Sequence, residues 1–178
     1  VAVVLYTSGT SGSPKGAMLT HRALIASLEQ VAALPTPVVS SGDVVLGVLP
    51  LSHIYSLNGT LGAVVRAAAT LVLVDRATPA QSLRRIREAG VTNVPAVPAL
   101  WAAWSVLGEF PEAMAGVRLS FNGSDALPDA IGARIHALIG VEVHQGYGLT
   151  EAAPGVTTTL ASTVARPGSV GRPLPGAE

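Results

Sequence analysis

A Gly/Ser/Thr-rich stretch near the start of the chain constrains its fold and chemistry more than any other feature. An apolar run with the β-branched content of a buried strand, Val1–Leu5, leads directly into it. The stretch itself, Tyr6–Gly16, combines serine and threonine hydroxyls with glycines and a single lysine, Lys15. Glycines let backbone N–H groups approach an anion, hydroxyls donate to its oxygens, and a lysine adds positive charge. This composition predicts a phosphate-binding loop rather than a simple turn after an edge strand.

Two common phosphate motifs do not describe this loop. A P-loop needs Gly-Lys followed by Ser or Thr, whereas Pro14 precedes Lys15 and Gly16 follows it. The dinucleotide pattern Gly-x-Gly-x-x-Gly also fails, because no glycine lies between Gly9 and Gly12. The loop therefore indicates a different kind of phosphate site.

Composition narrows the possible partners. The 178 residues contain 11 Lys and Arg against 11 Asp and Glu, so no net charge attracts nucleic acid. The chain has no cysteine, which excludes disulfides and thiolate catalysis within it. No apolar run reaches the length of a membrane span and no secretory signal is visible, so we expect a cytoplasmic protein without a membrane span. With 12% charged and 49% apolar residues, some of the surface is expected to pack on other protein.

Strand and helix patterns alternate along the rest of the chain. After the first strand at 1–5, strands are predicted at 44–49, 70–74, 91–97, 117–121 and 141–144. Helices are predicted at about 21–31, 57–68, 79–89, 98–104 and 128–139. Thr20 and Thr78 are the expected N-caps, and Gln81 completes a capping box with Thr78. This alternation predicts an α/β fold with a mainly parallel sheet, helices on its faces, and ligand at the carboxyl ends of the strands.

Two further loops follow predicted strands and are expected at the same sheet edge as the phosphate loop. Gly123, Ser124 and Asp125 follow strand 117–121, and the segment Gln145–Glu151 follows strand 141–144. In that segment a tyrosine between glycines offers a plane for a nucleobase, a threonine a hydroxyl for phosphate, and a glutamate an oxygen ligand for Mg²⁺. Each alone has an ordinary structural explanation, but their order favours a nucleotide site.

Four motifs in sequence order resemble the adenylate-forming superfamily of acyl- and aryl-CoA synthetases, luciferases and peptide-synthetase adenylation domains. They are Tyr6–Gly16, Pro50–His53, Tyr147–Glu151 and Gly168–Gly176, and they extend over essentially the whole chain. The resemblance implies that the ATP β,γ-phosphates are held by Thr7, Ser8, Gly9, Thr10, Ser11, Gly12 and Lys15. It implies an adenine slot and adjoining acyl-pocket wall from Gly123, Ser124, Asp125, Gln145, Gly146 and Tyr147.

The same resemblance implies the catalytic residues and the reaction. His53 would lie near the acyl carboxylate, Thr150 would contact the α-phosphate, and Glu151 would bind Mg²⁺; with Lys15 these are the expected catalytic residues. For His53 the competing interpretation is a packed, hydrogen-bonded histidine at a strand end. In the superfamily a carboxylate attacks the α-phosphorus of ATP, and acyl-AMP and pyrophosphate form while Mg²⁺ and the loop offset charge.

The branch of the superfamily is suggested by one position. Peptide-synthetase domains usually have proline where this chain has Leu149, which favours an acid–CoA ligase that transfers a fatty or aryl acid to coenzyme A. An acyl-AMP ligase, an amino-acid-activating domain and a non-catalytic nucleotide-binding fragment remain alternatives. The Trp101 and Trp104 side chains could line an acyl tunnel, but their spacing on an apolar helix is more typical of core.

The superfamily also has motifs that follow the region matched here: a ribose-binding aspartate, an arginine with a hinge, and a small C-terminal domain with a catalytic lysine. We therefore expect residues 1–178 to be the central part of the large N-terminal adenylating domain. Without the missing parts of the same polypeptide, this segment is expected to adenylate poorly or not at all.

Overall fold

The computed structural model describes residues 1–7, 13–162, 166 and 168–177. The strands are β1 Val3–Thr7, β2 Lys15–Leu19, β3 Val44–Gly47, β4 Thr70–Leu73, β5 Asn93–Ala96, β6 Leu119–Asn122, β7 Val143–Gly148, β8 Gly155–Thr158 and β9 Arg172–Pro173. The α-helices are α1 His21–Ala32, α2 Ala63–Ala67, α3 Pro79–Glu88, α4 Pro98–Trp104, α5 Phe110–Met114 and α6 Asp129–Ile139. A π-helix spans Tyr55–Gly62, and 3₁₀ helices span Thr150–Ala152 and Thr159–Ala161.

Seven strands form one sheet in the order β4-β3-β5-β6-β7-β8-β9. The five strands from β4 to β7 in this order pair in parallel, whereas β8 and β9 pair antiparallel. The predicted α/β fold with a mainly parallel sheet and flanking helices is confirmed. Parallel neighbours require crossover connections, and the helices between successive strands supply them.

The first strand was assigned to the wrong sheet. Strand β1 does not join the parallel sheet; it pairs antiparallel with β2 in a separate two-stranded sheet. The phosphate loop therefore joins two strands of a hairpin, instead of leading from a sheet strand into a helix as the sequence predicted. The apolar residues at 1–5 indicate a strand but not its partner. The partner, β2, could not be recognised beforehand because its alternation of buried and exposed residues arises from the pairing.

Several other elements differ from the predictions. Strand β7 continues through Gly148, so Gln145, Gly146 and Tyr147 lie in a strand that pairs with β8, not in a loop. The helix predicted at 57–68 divides into the π-helix and α2. Helix α5 and strands β2, β8 and β9 were not predicted, because they are short and carry no strong periodic pattern.

Helix ends follow the predicted capping chemistry. The Thr20 hydroxyl accepts a hydrogen bond from Ala23 N, and Thr78 and Gln81 form a complete reciprocal capping box at the start of α3. Gly90 follows the C-cap of α3 with a φ of 61°, a left-handed conformation that glycine adopts without a Cβ clash. These local signals set the boundaries of the helices independently of the rest of the fold.

The main core lies on the side of the sheet covered by α3, α4, α5 and α6. The indoles of Trp101 and Trp104 are fully buried there, edge to face with ring centroids 5.4 Å apart. Trp104 Nε1 donates to the Ser82 hydroxyl at 2.8 Å. The two tryptophans are therefore core residues, as the sequence favoured, and do not line a ligand tunnel.

A buried carboxylate ties together the amino ends of three strands. Asp43, 4% exposed, accepts hydrogen bonds from the Arg118 guanidinium, the Thr92 hydroxyl and Ser40 N. Burial alone would raise the pKa of Asp43, but the hydrogen bonds from Arg118, Ser40 and Thr92 outweigh it and hold the pKa below its ordinary value. These bonds connect the starts of β3, β5 and β6.

In the part of the chain that the structure describes, no helix has both the length and the apolar content required to cross a bilayer.

Candidate active site

The other face of the sheet carries α1 and the π-helix, and packing there leaves a large cavity. Its volume is about 540 Å³, within the range usual for small-molecule sites. The walls come from α1, the π-helix, the faces of β3, β5 and β6, and the segment that runs from β7 to β8. The sequence-predicted site residues that line it are Thr7, His53, Gly123, Ser124, Gly146, Tyr147, Thr150 and Glu151.

The phosphate-binding end is only partly described. Thr7 lines the cavity, and its hydroxyl donates to Lys15 O across the hairpin at 3.5 Å. Lys15 is exposed at the start of β2 and is not among the lining residues. The remaining predicted phosphate ligands, Ser8, Gly9, Thr10, Ser11 and Gly12, lie outside the described residues. The hairpin nevertheless brings both ends of this loop to one place through the pairing of Thr7 with Lys15.

Thr150 and Glu151 occupy a short 3₁₀ helix directly after β7. The helix is closed by Ala153 N, which donates to Thr150 O at 3.2 Å, and Ala153 itself has a positive φ of 63°. Leu149 N donates to Pro154 O at 3.0 Å, so the chain turns back sharply towards β8. This tight turn places Thr150 and Glu151 on the wall of the same cavity as Thr7.

The glycines around Tyr147 are required by close packing. A Cβ on Gly146 would lie 2.8 Å from the Phe121 ring and 3.0 Å from Thr157 O, and there is no room for it. Tyr147 is 51% exposed and lines the cavity. A half-exposed aromatic ring beside backbone polar groups is suited to stack on a nucleobase.

Two predicted nucleotide-binding residues, Gln145 and Asp125, make hydrogen bonds within the protein. Gln145 Oε1 accepts a hydrogen bond from Leu127 N at 2.8 Å, and its backbone N–H donates to the Thr159 hydroxyl. Asp125 Oδ1 accepts from Ala126 N, and Asp125 O accepts from Asn122 Nδ2. Neither side chain is among the residues that line the cavity. Gln145 joins the end of β7 to the loop after β6, so it orders the loop that contains Gly123 and Ser124.

His53 is held in one orientation by its own backbone segment. Its Nδ1 accepts a hydrogen bond from Tyr55 N at 3.2 Å, so in the neutral ring Nε2 carries the proton. His53 is exposed and lines the cavity. An N–H donor beside a cavity can orient an incoming carboxylate, which is the role implied by its motif.

Tyr55 is a site residue that the sequence reasoning did not assign. Its ring packs on Gly123, where an added Cβ would lie 3.0 Å from two ring carbons, and its hydroxyl donates to Phe121 O at 3.5 Å. Burial raises the pKa of the Tyr55 phenol far above its ordinary value, so the hydroxyl stays protonated. The sequence offered one signal for Tyr55: it lies two residues after His53, next to the Pro50–His53 motif.

The residues present are compatible with Mg²⁺ bound together with a nucleotide. Among the described residues no group of three or more His, Cys, Asp or Glu side chains could hold a metal by itself. Mg²⁺ commonly takes one or two carboxylates together with substrate phosphates and water. Glu151 is an exposed carboxylate beside the Thr150 hydroxyl on the cavity wall, a donor set that fits this kind of shared coordination.

The fold defines an α/β domain of the adenylate-forming class, and its cavity runs along one face of the sheet to the segments that follow β6 and β7. The chain belongs to the AMP-binding enzyme family, whose family model matches residues 1–178. Its curated and structural relatives give the same class.

The long-chain-fatty-acid–CoA ligase of Bacillus subtilis (strain 168) is 30% identical over 182 residues, which cover 100% of this chain and 32% of that protein. The 4-coumarate–CoA ligase 3 of Oryza sativa subsp. japonica is 38% identical over 172 residues, which cover 90% of this chain and 30% of that protein. The crystal structure of ATP-bound MatB from Rhodopseudomonas palustris superposes with a TM-score of 0.87 at 28% identity, covering 97% of this chain and 34% of MatB. The chain thus spans about a third of the length of these relatives.

Proposed function

We propose that the protein activates a carboxylic acid with ATP to give an acyl adenylate and pyrophosphate, and then transfers the acyl group to coenzyme A. The main support for this proposal is that one cavity is lined by Thr7, Thr150 and Glu151 as well as by Tyr147 and His53. Such a cavity can hold a nucleotide and an acid side by side. The curated relatives are acid–CoA ligases, which supports the same reaction class.

In the first step a carboxylate oxygen of the acid attacks the α-phosphorus of ATP, and the bond from that phosphorus to the bridging oxygen of pyrophosphate breaks. His53 Nε2–H orients the carboxylate, and the Thr150 hydroxyl donates to the α-phosphate. Tyr147 stacks on the adenine, while Thr7, Lys15 and the loop between them hold the β,γ-phosphates. Glu151 would hold Mg²⁺ together with the phosphates, and the ion would supply positive charge to offset the repulsion between the two anions. Most of the remaining acceleration is positioning.

In the second step the sulfur of coenzyme A attacks the acyl carbon, the bond from that carbon to the phosphate oxygen breaks, and AMP leaves. The thiol proton is lost to solvent as the thioester forms. This step uses the same acyl group in the same cavity, so the acid must remain bound while the acceptor enters.

The acid we propose is a fatty or aryl acid with an uncharged tail. Beyond His53 the cavity wall is mainly apolar and includes Leu28, Val31, Val45, Ala63 and Phe121. Among the described lining residues the ionisable side chains are His53, Tyr55, Tyr147 and Glu151. None of these is a lysine or arginine that could pair with a second carboxylate, and Glu151, the one carboxylate, is at the phosphate end. A dicarboxylic acid or an α-amino acid would therefore bury an unpaired charge.

We further propose that residues 1–178 supply one part of the catalytic unit, the central part of a large adenylating domain. The support is the share of each relative that the chain matches, about a third. The isolated segment is then expected to turn over poorly compared with a polypeptide extended to the length of its relatives.

The test is acid-dependent exchange of labelled pyrophosphate into ATP, run on this segment and on the extended polypeptide. The panel comprises decanoic acid, a hydroxycinnamic acid, malonic acid and leucine. We expect exchange by the extended polypeptide with either of the first two acids. Exchange with leucine alone would move the protein to the amino-acid-activating class, and exchange with none would refute the proposed activity.

Two variants with matched controls test the assigned roles. His53→Ala should lower exchange at least tenfold while the Kd for Mg-ATP changes little; His21→Ala, at an exposed histidine of α1, is the control. Glu151→Gln should raise the Mg²⁺ concentration needed for half-maximal exchange, whereas Glu142→Gln, at an exposed residue just before β7, should not. Equal loss of ATP binding and exchange in His53→Ala would contradict the role given to that histidine.

A further inference from the structure

Asn58, in the middle of the π-helix, is a buried polar residue that does not line the cavity. It is 5% exposed, and both of its amide protons are used. Its Nδ2 donates to Leu24 O of α1 at 3.1 Å and to Ala153 O at 2.7 Å. This one side chain thus links the π-helix to two segments that lie 34 and 95 residues away in the sequence.

The orientation of this amide is fixed by its neighbours. A Cβ on Gly62 would lie 2.6 Å from Asn58 Oδ1, so the glycine leaves the space that the amide oxygen occupies. With the oxygen placed there, the NH₂ group faces the two carbonyl oxygens. The Asn58 amide therefore has one orientation in which both N–H donors are satisfied. The backbone of the π-helix places Asn58 for these bonds, and π-helical turns are frequent at functional sites.

The carbonyl that Asn58 binds belongs to a strained residue. Ala153 has a φ of 63°, a left-handed conformation that is unfavourable for alanine because its Cβ approaches a carbonyl oxygen. Such a residue keeps this conformation only where its surroundings hold it. Ala153 is 1% exposed and packs against Leu19 and Ile54, and the hydrogen bond from Asn58 is the polar contact that holds its carbonyl.

Ala153 directly follows the Thr150–Ala152 3₁₀ helix, whereas Asn58 lies in the segment that begins with His53 and Tyr55. The amide therefore connects the two ends of the proposed reaction site: the acid-orienting end and the phosphate end. We infer that Asn58 is a positioning residue that sets the separation between the His53–Tyr55 segment and the Thr150–Glu151 turn. This inference rests on the proposed function, because the separation matters only if both segments hold reacting groups.

The main test is Asn58→Leu, which keeps the side-chain size and removes both donors. Its control is Ser56→Ala: Ser56 is equally buried in the same π-helix but donates to Leu49 O, and it does not line the cavity. In the full-length protein we expect Asn58→Leu to lower the kcat of acid-dependent pyrophosphate exchange about a hundredfold, since displacements near 1 Å cost about that much. The Kd for Mg-ATP alone and for the acid alone should change less than threefold.

Gly62→Ala is a second variant that leaves Asn58 in the sequence but displaces its amide oxygen. It should give the same pattern, a lower kcat with retained binding of each ligand. If Asn58→Leu loses no more activity than Ser56→Ala, or if the loss appears entirely as weaker binding of one ligand, the positioning role is wrong.

Hydrogen exchange followed by mass spectrometry gives a readout that does not depend on catalysis. Amides of the peptide 147–157 should exchange faster in Asn58→Leu and Gly62→Ala than in wild type and Ser56→Ala. Unchanged amide hydrogen exchange in peptide 147–157 of both variants would overturn the inference, whether or not the enzyme is active. If amide hydrogens exchange faster in the two variants but the wild type shows no pyrophosphate exchange with any acid, the structural link stands and the proposed function is refuted.

Discussion

Gly148, at the end of β7, is the position where one added methyl group should disturb the site most. A Cβ there would lie 2.3 Å from Pro154 O and 3.0 Å from its carbonyl carbon, whereas ordinary contacts begin at 3.4 Å. Both of the crowded atoms belong to backbone, so no side-chain rotation relieves the clash. In Gly148→Ala, strand β7 and the Pro154 segment must therefore separate by about 1 Å, the difference between these distances.

The separation should change activity through the turn that these two segments enclose. Thr150 and Glu151 lie between Gly148 and Pro154, so a displacement of about 1 Å reaches both side chains. A misplacement of that size costs about a hundredfold in rate, equivalent to about 2.7 kcal/mol in the activation barrier. Since the hydrogen bond from Leu149 N to Pro154 O is stretched too, the melting temperature should also fall.

Acid-dependent pyrophosphate exchange and thermal unfolding measure the two effects. Gly132→Ala is the matched control: Gly132 lies within α6, and its added Cβ meets only Leu127 Cδ2, at an ordinary 3.7 Å. That variant should be more stable by about 0.5–1 kcal/mol, because alanine is favoured over glycine inside a helix, and its exchange rate should not change. If Gly148→Ala keeps an exchange rate within twofold of wild type, the turn does not depend on this close packing and the reasoning is refuted.

Three further predictions concern stability. Asp43→Asn leaves the Arg118 cation without its partner and should lower the free energy of unfolding, measured by urea denaturation at pH 7, by about 2–3 kcal/mol. This loss is smaller than that for a fully buried ion pair because the Arg118 side chain is 38% exposed. The pKa of Asp43 is lowered from 3.8, so its carboxylate stabilises the folded state above that pH and loses this effect as the pH falls through the folded-state pKa. The difference in free energy of unfolding between variant and wild type should therefore be smaller at pH 3 than at pH 7. An equal difference at both pH values would contradict the ion pair. Thr78→Ala removes the capping box of α3 and should cost about 1 kcal/mol, with Ser13→Ala, at an exposed residue outside any helix, as the control. Trp104→Phe loses the hydrogen bond to Ser82 and leaves a void, so it should destabilise by at least about 1 kcal/mol without altering ATP affinity; reduced affinity would place Trp104 nearer the site than the fold does.

Local signals in the sequence predicted much of the fold. The capping threonines, Pro79 and Gly90 act within a few residues of themselves, and the helices they bound appear where they were expected. Parallel strands bury both faces, so the apolar runs at 44–49 and 91–97 could be recognised without knowledge of their partners. The motif residues Thr7, His53, Tyr147 and Glu151 line one cavity, and Thr7 reaches it from the separate β1–β2 hairpin, not from the parallel sheet.

Features that depend on pairing between distant segments could not be predicted in this way. The Val1–Leu5 run fits a parallel sheet or a hairpin equally well, and only its pairing with Lys15–Leu19 decides between them. The sequence likewise gave no sign that the Gln145 amide oxygen accepts a hydrogen bond from Leu127 N, 18 residues away.

The sequence by itself determined the class of fold, the boundaries of the capped helices α1 and α3, and the set of residues from which a phosphate and carboxylate site can be built, because each depends on local conformation or on residue type. Only the tertiary structure decided which of those residues face one cavity. It also decided that Asn58, with no motif of its own, holds the Ala153 carbonyl 95 positions away. Hydrogen bonds between distant segments depend on how the chain packs, and residue type alone carries no record of the partner.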